Sequence, residues 1–214
     1  MKRLFNIFLW CTLLLMASSC GDDDKVEDYP SAITELVELM TNTQKAVVSI
    51  RTDRNETFSV TNDALKANKA DTTYRCLCIY EKVNTTSVKI YQAAGVLSML
   101  PLPKDKFTIL PKDPIHIISQ WRTDRYINLF VRYLTVGAEN HGFSLCEDKV
   151  VTESDGKQTV YVSLLHKKPT TDSEAYSEKF YVSVPTYKYA ETYDNIVFTV
   201  PTYDGDVEYK YALK

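Results

Sequence analysis

Glycine and cysteine are scarce in this chain of 214 residues, which contains six glycines and five cysteines. The glycines stand at positions 21, 95, 137, 142, 156 and 205. They never cluster, so the sequence has no loop of closely spaced backbone amides that could cradle a phosphate. Only Cys76 and Cys78 are close together, and no second pair completes a zinc motif. These absences argue against a nucleotide-binding protein, a zinc protein and a disulfide scaffold.

The three histidines give no sign of a metal site. His116, His141 and His166 are isolated in the sequence, and none has another histidine or a cysteine three or four residues away. His116 alternates with Ile115 and Ile117 in an apparent strand, which favours a hydrogen-bonded structural residue over a ligand.

Catalytic motifs are also missing. The sequence contains no Gly-x-Ser-x-Gly nucleophile elbow. Acidic pairs such as Glu147 with Asp148 are typical of solvated turns, whereas a glycosidase needs two carboxylates held several ångströms apart. We therefore predict that the protein is not an enzyme and uses no cofactor.

The N-terminus has the three zones of an export signal. Lys2 and Arg3 precede an apolar run over residues 4–16, which is shorter than the roughly 20 residues of a membrane-spanning helix. Three small residues then lead to Cys20. We predict that residues 1–19 are a signal peptide cut before Cys20, and that Cys20 carries acyl chains such as palmitate that bind the protein to the outer membrane. A secretory signal without lipidation is the alternative.

Residues 20–29 are predicted to be a lipidated acidic tether, because Asp22, Asp23 and Asp24 follow the cysteine closely. The acidic cluster is either a flexible, solvated linker between the lipid and the folded domain or an export signal. It resembles the acidic signal that directs Bacteroides-type lipoproteins to the cell surface, so we expect the protein to face the exterior. Without residues 1–19, 23 basic residues stand against 28 acidic ones, a net charge of about −5. This balance predicts no nucleic-acid partner.

Three cysteines remain after the signal and the lipid are accounted for. Cys76 and Cys78 share one face of a predicted strand, which makes a bridge between them geometrically poor. We expect all three to be buried small hydrophobic residues. A bridge from Cys146 to one of the other two is the alternative.

Prolines divide the mature chain. Four of the eight prolines, at positions 101, 103, 111 and 114, fall within fourteen residues, which predicts one domain over 30–103 and a second over 112–214. Strand-forming runs in the first are residues 32–40, 47–51, 57–60, 72–81 and 87–96. The run at 32–40 also fits helical spacing, and we predict a strand there. A short helix is predicted at 63–70, with Asn62 or Thr61 as its N-terminal cap. In the second they are residues 115–121, 126–136, 143–147, 159–166, 179–184, 195–200 and 207–211. The sequence therefore predicts an all-β protein whose second domain is a seven-stranded antiparallel sandwich.

Aromatic residues provide the one positive indication of binding. Among fifteen tyrosines, most are expected to pack across strands. A denser cluster contains Trp121, Arg122, Arg125 and Tyr126, in a turn between two predicted strands, and these are the candidate binding residues. Core packing of Trp121 is the stronger alternative if strand 115–121 has no bulge, because Trp121 would then share a face with Ile115 and Ile117.

The chain resembles the NigD-like lipoproteins of Bacteroides-type bacteria. The segments that carry the resemblance are residues 29–37, 71–75, 113–128 and 182–185. The resemblance implies an N-terminal OB-like barrel followed by a C-terminal β-sandwich, and it brings no catalytic residues. The usual turn glycine after the first hairpin is absent here, where Arg54, Asn55 and Glu56 stand instead.

Two functions follow as expectations. The first is a non-enzymatic, surface-exposed binding or interaction lipoprotein, with a glycan, peptide or protein as partner and the membrane bound through Cys20. The second, implied by the family resemblance alone, is protection of the envelope in the manner of a bacteriocin immunity protein.

Overall fold

The computed structural model describes residues 31–63, 65–135, 141–169 and 176–214. The predicted signal peptide, the lipid site at Cys20 and the acidic tether lie outside these residues. None of the described segments forms a helix that is both long and apolar enough to cross a membrane.

The first five strands close into a barrel, as the family resemblance implies. Their order around the barrel is β1-β2-β3-β5-β4, and β4 pairs with β1 to complete the ring. Alternate side chains of β1 and β4 point inward, among them Val37, Leu39, Cys76 and Cys78, and form the barrel core. The strands are β1 (Ile33–Thr41), β2 (Val47–Thr52), β3 (Thr57–Val60), β4 (Thr73–Lys82) and β5 (Ser87–Gly95).

The hairpin between β2 and β3 forms without glycine. Asn55 adopts a φ of 62°, the left-handed conformation that asparagine tolerates better than most residues. Its backbone N–H donates to the Thr52 carbonyl at 3.0 Å. Asparagine thus performs the role of the missing turn glycine.

The predicted helix at 63–70 is wrong, since the described residues of that segment contain only bends, irregular backbone and one bridge from Lys66 to Ala46. The Asn62 side chain, a predicted helix cap, instead donates to the Ile90 carbonyl at 2.7 Å and accepts from the Ile90 N–H at 2.9 Å. It extends the pairing of the barrel instead of starting a helix.

The three remaining cysteines are buried and free, as predicted. Cys76 and Cys78 lie in the barrel core, whereas Cys146 lies in the second half of the protein, so the alternative bridge from Cys146 does not form. Burial raises the pKa of the Cys78 thiol to about 12, which makes it a poor nucleophile.

The second half is a sandwich of two sheets. One sheet has the order β13-β12-β10-β9-β6 and the other the order β11-β8-β7. Their facing side chains, including Ile127, Leu129, Val162 and Phe198, are fully buried and form a second core. The strands are β6 (Leu102–Pro103), β7 (His116–Arg122), β8 (Tyr126–Thr135), β9 (Gly142–Thr152), β10 (Gln158–Lys167), β11 (Tyr176–Pro185), β12 (Asn195–Thr202) and β13 (Gly205–Ala212).

Pairing within the sandwich is mixed, where the sequence predicted antiparallel sheets throughout. Strand β12 runs parallel to β10, and the short β6 runs parallel to β9. The first of these follows from topology: β11 lies between β10 and β12 in sequence but belongs to the opposite sheet, so the chain crosses over and returns in the same direction.

The segment between the two halves is attached to the sandwich. Leu97 pairs with β11, its N–H donating to the Tyr181 carbonyl at 3.0 Å. Leu102–Pro103, assigned to the first domain from the prolines, pair with β9. Residues 32–214 form one compact unit, and the boundary between 103 and 112 stays a prediction.

Candidate binding cleft between barrel and sandwich

A bulge in β7 decides which way Trp121 points. Ile117 is opposite Val131 of β8, but Ser119 is opposite Phe130, so Ile118 is an extra residue on the β7 side. One extra residue reverses the faces of all later side chains. Ile117 packs against the sandwich core, and Trp121 points to the opposite face, toward the barrel.

The interpretation of Trp121 as a sandwich-core residue is therefore wrong. Trp121 is opposite Asn128 in β8. The Asn128 side-chain oxygen accepts a hydrogen bond from Arg75 of the barrel at 3.2 Å. The barrel-facing side of the three-stranded sheet is thus the side that carries Trp121.

Trp121 lines a cleft of about 300 Å³ between the barrel and this sheet. Its ring meets that of Tyr181 edge-on, with 6.3 Å between centroids. Tyr181 is in turn stacked on Phe130 at 4.5 Å, which fixes the aromatic wall in place. The residues that line the cleft are Thr34, Glu35, Leu36, Asp53, Leu77, Trp121, Thr123 and Tyr181.

Two ion-pair networks join the barrel to the sandwich beside this cleft. The first is centred on Glu38, which is 2% exposed. Its carboxylate accepts hydrogen bonds from Arg51 of the adjacent strand, from Arg125 at 3.0 Å and from the Tyr126 hydroxyl at 2.6 Å. Burial alone would raise the pKa of Glu38, but these three partners more than offset burial and hold the pKa below its ordinary value.

The second network is centred on Arg75, which is 6% exposed. Its guanidinium pairs with Asp53 at 2.7 Å and donates to the Ser183 hydroxyl at 3.2 Å, in addition to the Asn128 contact. The guanidinium also lies over the Tyr126 ring, 4.1 Å from its centroid. A barrel arginine is thus surrounded by polar and aromatic groups of the sandwich.

The four candidate binding residues do not form one site. Trp121 lines the cleft. Arg122 is exposed on the other face, 5.6 Å from the Tyr211 ring. Arg125 and Tyr126 are engaged with Glu38, and the Arg125 guanidinium also lies 4.0 Å from the Tyr187 ring centroid. These two residues hold the halves together and are not among the residues that line the cleft.

Sequence reasoning missed the residues that complete this region. Glu38 and Arg75 each interrupt an apolar strand, within Leu36-Val37-Glu38-Leu39 and Tyr74-Arg75-Cys76. A charged residue among buried neighbours requires a partner of opposite charge, so this signal was available. Tyr181 and Asp53 carried no comparable signal.

Two of the histidines that are isolated in the sequence are neighbours in the fold. His141 Nδ1 lies 2.8 Å from His166 Nε2, and His166 Nδ1 lies 2.9 Å from the Asp113 carbonyl oxygen. His116 stands apart and stacks on Tyr203 at 4.5 Å. Over the described ranges, no three His, Cys, Asp or Glu side chains are grouped closely enough to hold a metal ion.

The second half of the chain identifies the family. Residues 98–213 match the family model of the NigD-like C-terminal beta sandwich domain, which covers more than half of the chain. This chain belongs to the NigD-like family. The resemblance inferred from the sequence is thereby confirmed.

Solved structures share the NigD-like fold over most of this chain. A NigD-like immunity protein from Bacteroides caccae is 27% identical, with a TM-score of 0.68 over 86% of this chain and 98% of that one. A candidate toxin-related protein from Parabacteroides distasonis is 14% identical, with a TM-score of 0.65 over 84% and 92%. A candidate lipoprotein from Bacteroides fragilis is 13% identical, with a TM-score of 0.55 over 86% and 98%. No curated protein matches the chain in sequence.

Proposed function

We propose that this NigD-like protein is a membrane-anchored lipoprotein of the cell envelope that acts by binding a partner in the cleft beside Trp121, without catalysis. The observation that carries the binding role is the orientation of Trp121. An aromatic side chain that could have been buried in a core instead lines an open cleft, together with polar residues such as Thr34, Asp53 and Thr123. Concave sites with a few convergent polar groups are the usual places where proteins bind ligands.

The carboxylates near the cleft support binding over catalysis. Asp53 is paired with Arg75, and Glu35 accepts a hydrogen bond from the Tyr80 hydroxyl at 2.5 Å. Each carboxylate therefore has a structural partner, which favours a structural role for both. Turnover of a glycan or peptide by the purified protein would contradict this part of the proposal.

The anchor rests on the sequence around Cys20 and on the fold shared with the Bacteroides fragilis candidate lipoprotein. We expect alkyne-palmitate labelling of cells to mark the wild type and Cys11→Ser, since Cys11 leaves with the signal. Cys20→Ser should lose both the label and the membrane fraction. A labelled, membrane-bound Cys20→Ser would refute lipidation at this residue.

We also propose that the protein is exposed on the outer surface of the cell. Protease added to intact cells should degrade the protein, while a periplasmic marker survives. If Asp22, Asp23 and Asp24 act as an export tag, replacing them with asparagine should protect the protein from that protease without detaching it from the membrane. Protease resistance of the wild type in intact cells would place it on the inner face instead.

Trp121 is itself the reporter for the binding role, because Trp10 is removed with the signal peptide and the sequence has only two tryptophans. We would record the fluorescence emission of Trp121 in the mature protein during titration with glycans, mucin fragments and antibacterial peptides. A saturable shift with one class, absent in a folded Trp121→Phe variant, supports the cleft. A blue-shifted Trp121 fluorescence that quencher cannot reach and that none of these three ligand classes changes would refute binding in the cleft.

Envelope protection is the second candidate, and the Bacteroides caccae NigD-like immunity protein favours it. A neighbouring gene for a small secreted toxin would favour the role, and the test is deletion of this gene followed by exposure to such a toxin. Increased sensitivity that the wild-type gene reverses supports the role. Unchanged sensitivity refutes it.

A further inference from the structure

We infer that two copies of this chain associate through the outer edge of β13 (Gly205–Ala212), so that two five-stranded sheets join into one sheet of ten strands. This surface is not part of the cleft, and the inference is independent of the binding role proposed above. Three features of β13 carry it: an open edge, unpartnered charges on its exposed face, and a sequence that is complementary to itself in one antiparallel register.

β13 is an unprotected edge, unlike the other sandwich edges among the described residues, which are β6, β7 and β11. β6 has only two residues, β7 contains the bulge at Ile118, and Leu97 lies beside β11, where its carbonyl accepts from the Ser183 N–H at 2.9 Å. Short length, bulges and covering segments stop edge strands from pairing with other chains. β13 pairs with β12 over eight residues without a register shift, and no described segment pairs with its other side.

The free backbone groups of β13 belong to alternate residues. The Leu213 N–H, just after the strand, donates to the Asp194 carbonyl, just before β12, at 2.7 Å. The odd-numbered residues of β13 therefore direct their backbone groups toward β12, and the even-numbered residues direct theirs toward the open edge. A second chain can form a hydrogen-bonded ladder there only when even-numbered residues stand opposite one another.

The exposed face of β13 carries two charges that have no partner within the described chain. Glu208 and Lys210 are both exposed, and neither side chain forms an ion pair or a hydrogen bond with another described residue. Asp206 differs, because it is paired with Lys112 at 2.6 Å. Two unpaired charges of opposite sign thus stand two residues apart on one face of an open edge.

One antiparallel register satisfies both the backbone and the charges. When Tyr209 of one copy is opposite Tyr209 of the other, Glu208 of each copy is opposite Lys210 of the other in a hydrogen-bonded pair. Opposite charges in such a pair attract and like charges repel. Moving the two-fold axis by one residue either way would place Glu208 against Glu208 or Lys210 against Lys210. The charges therefore select the register centred on Tyr209, in which the two copies are related by a two-fold axis, as in most homodimers.

The partner that fits this edge is a second copy, and the contact is small. Eight residues a side is well below the roughly 20–30 residues of a standard interface. We expect a weak dimer in solution, with a dissociation constant of about 0.1 mM. Anchoring of both copies to one membrane through Cys20, as proposed above, would raise their local concentration and favour pairing.

Charge exchange tests the surface. Sedimentation velocity of the mature protein with Cys20→Ser should show a monomer–dimer equilibrium as the concentration is raised. Lys210→Glu sets like charges opposite each other twice and should weaken the dimer at least about tenfold. The double variant Glu208→Lys with Lys210→Glu recreates both opposite pairs and should restore the dimer.

Lys69→Glu is the matched control for Lys210→Glu. It makes the same change of charge at an exposed position between β3 and β4, so it should change the affinity by less than about twofold. Equal urea midpoints for these variants will show that all of them are folded.

A disulfide tests the register. In the register centred on Tyr209, the two Tyr209 Cα atoms would lie about 4.5 Å apart, which is within the range of a disulfide. Tyr209→Cys should therefore give a covalent dimer under mild oxidation, because Cys76, Cys78 and Cys146 are buried. Val207→Cys is the control, since residue 207 stands opposite residue 211 of the second copy, and it should cross-link much more slowly.

Three results would overturn the inference. A wild type that remains a monomer up to about ten times the expected dissociation constant would exclude the contact. A dimer that Lys210→Glu does not weaken, or that the double variant does not restore, would place the interface on another surface. Cross-linking of Val207→Cys as fast as that of Tyr209→Cys would refute the register.

Discussion

Glu38 gives the sharpest test of how the two halves are held together. The substitution Glu38→Gln preserves the size of the side chain and leaves an oxygen that can accept from the Tyr126 hydroxyl. It removes the charge that Arg51 and Arg125 share. Because Glu38 is 2% exposed, water cannot fully replace the lost interaction.

The expected loss of stability follows from the burial of Glu38, Arg51 and Arg125. Removing one member of a buried ion pair costs about 3–5 kcal/mol. The side chains of Arg51 and Arg125 are 32% and 26% exposed, so both recover part of their hydration. We therefore expect the lower end, a loss of about 3 kcal/mol in the free energy of unfolding, or a fall in Tm of about 6–12 °C for a protein of this size.

The assay is urea unfolding of wild type, Glu38→Gln and the control Glu56→Gln at several pH values. Glu56 pairs with Arg54 and Lys82 on the surface and is 42% exposed, so its variant should lose at most about 0.5 kcal/mol. The folded pKa of Glu38 lies below the ordinary value of 4.5. The stability that Glu38 contributes is therefore complete above pH 4.5 and is lost as the pH falls through the folded pKa.

Two outcomes would refute this reasoning. A loss for Glu38→Gln no larger than that of Glu56→Gln would mean that the network joins the halves without stabilising them. A difference between wild type and Glu38→Gln that does not shrink at acidic pH would mean that the lost stability comes from packing and not from charge.

Three further predictions concern other parts of the fold. Burial lowers the pKa of His166 below its ordinary value of 6.5, so its stabilising contribution is complete above that pH and is lost as the pH falls. The urea midpoint should drop between pH 7 and pH 5, and an equal drop in His166→Gln would contradict this. Gly205 has a φ of 106° and open space around its Cβ position, so Gly205→Ala should lose about 1–2 kcal/mol from backbone strain alone, and an unchanged midpoint would show that the turn relaxes. Thiol reagent should label the mature protein quickly only after unfolding, at three sites, and fast labelling of the folded state would contradict the burial of Cys76, Cys78 and Cys146.

The strands could be predicted because their signal is local. In β4 the alternation of Tyr74, Cys76, Cys78 and Tyr80 with other residues places every second side chain in the barrel core, and both the strand and the burial are confirmed. The hairpin turn at Gly205 has an equally local signal, because Asp-Gly between two apolar runs favours a hairpin.

The helix at 63–70 failed because a distant contact outweighed local preference. Asn62 is an acceptable helix cap, but its side chain pairs with Ile90, 28 residues away. Residues 65–70 then follow the barrel wall. A single sequence does not reveal which of these two partners the asparagine will use.

The candidate site shows the same limit. Four residues near Trp121 were selected together because they are adjacent in the sequence, yet Arg122 and Trp121 ended on opposite faces, and Arg125 and Tyr126 are engaged with Glu38, 87 and 88 residues away. Adjacency along a strand predicts alternation, and it does not predict which face is covered by which neighbour.

By itself, the sequence determined the all-β class, the positions of most strands, the burial of the cysteines and the family to which the chain belongs, because these depend on side-chain period and on short segments. Only the tertiary structure decided the direction of Trp121, the meeting of His141 with His166 and the two ion-pair networks. The reason is physical: one bulged residue, Ile118, reverses the face of every side chain after it. A cleft then forms only where that reversed face meets the barrel, whose lining residues stand 44 or more positions before Trp121 in the chain.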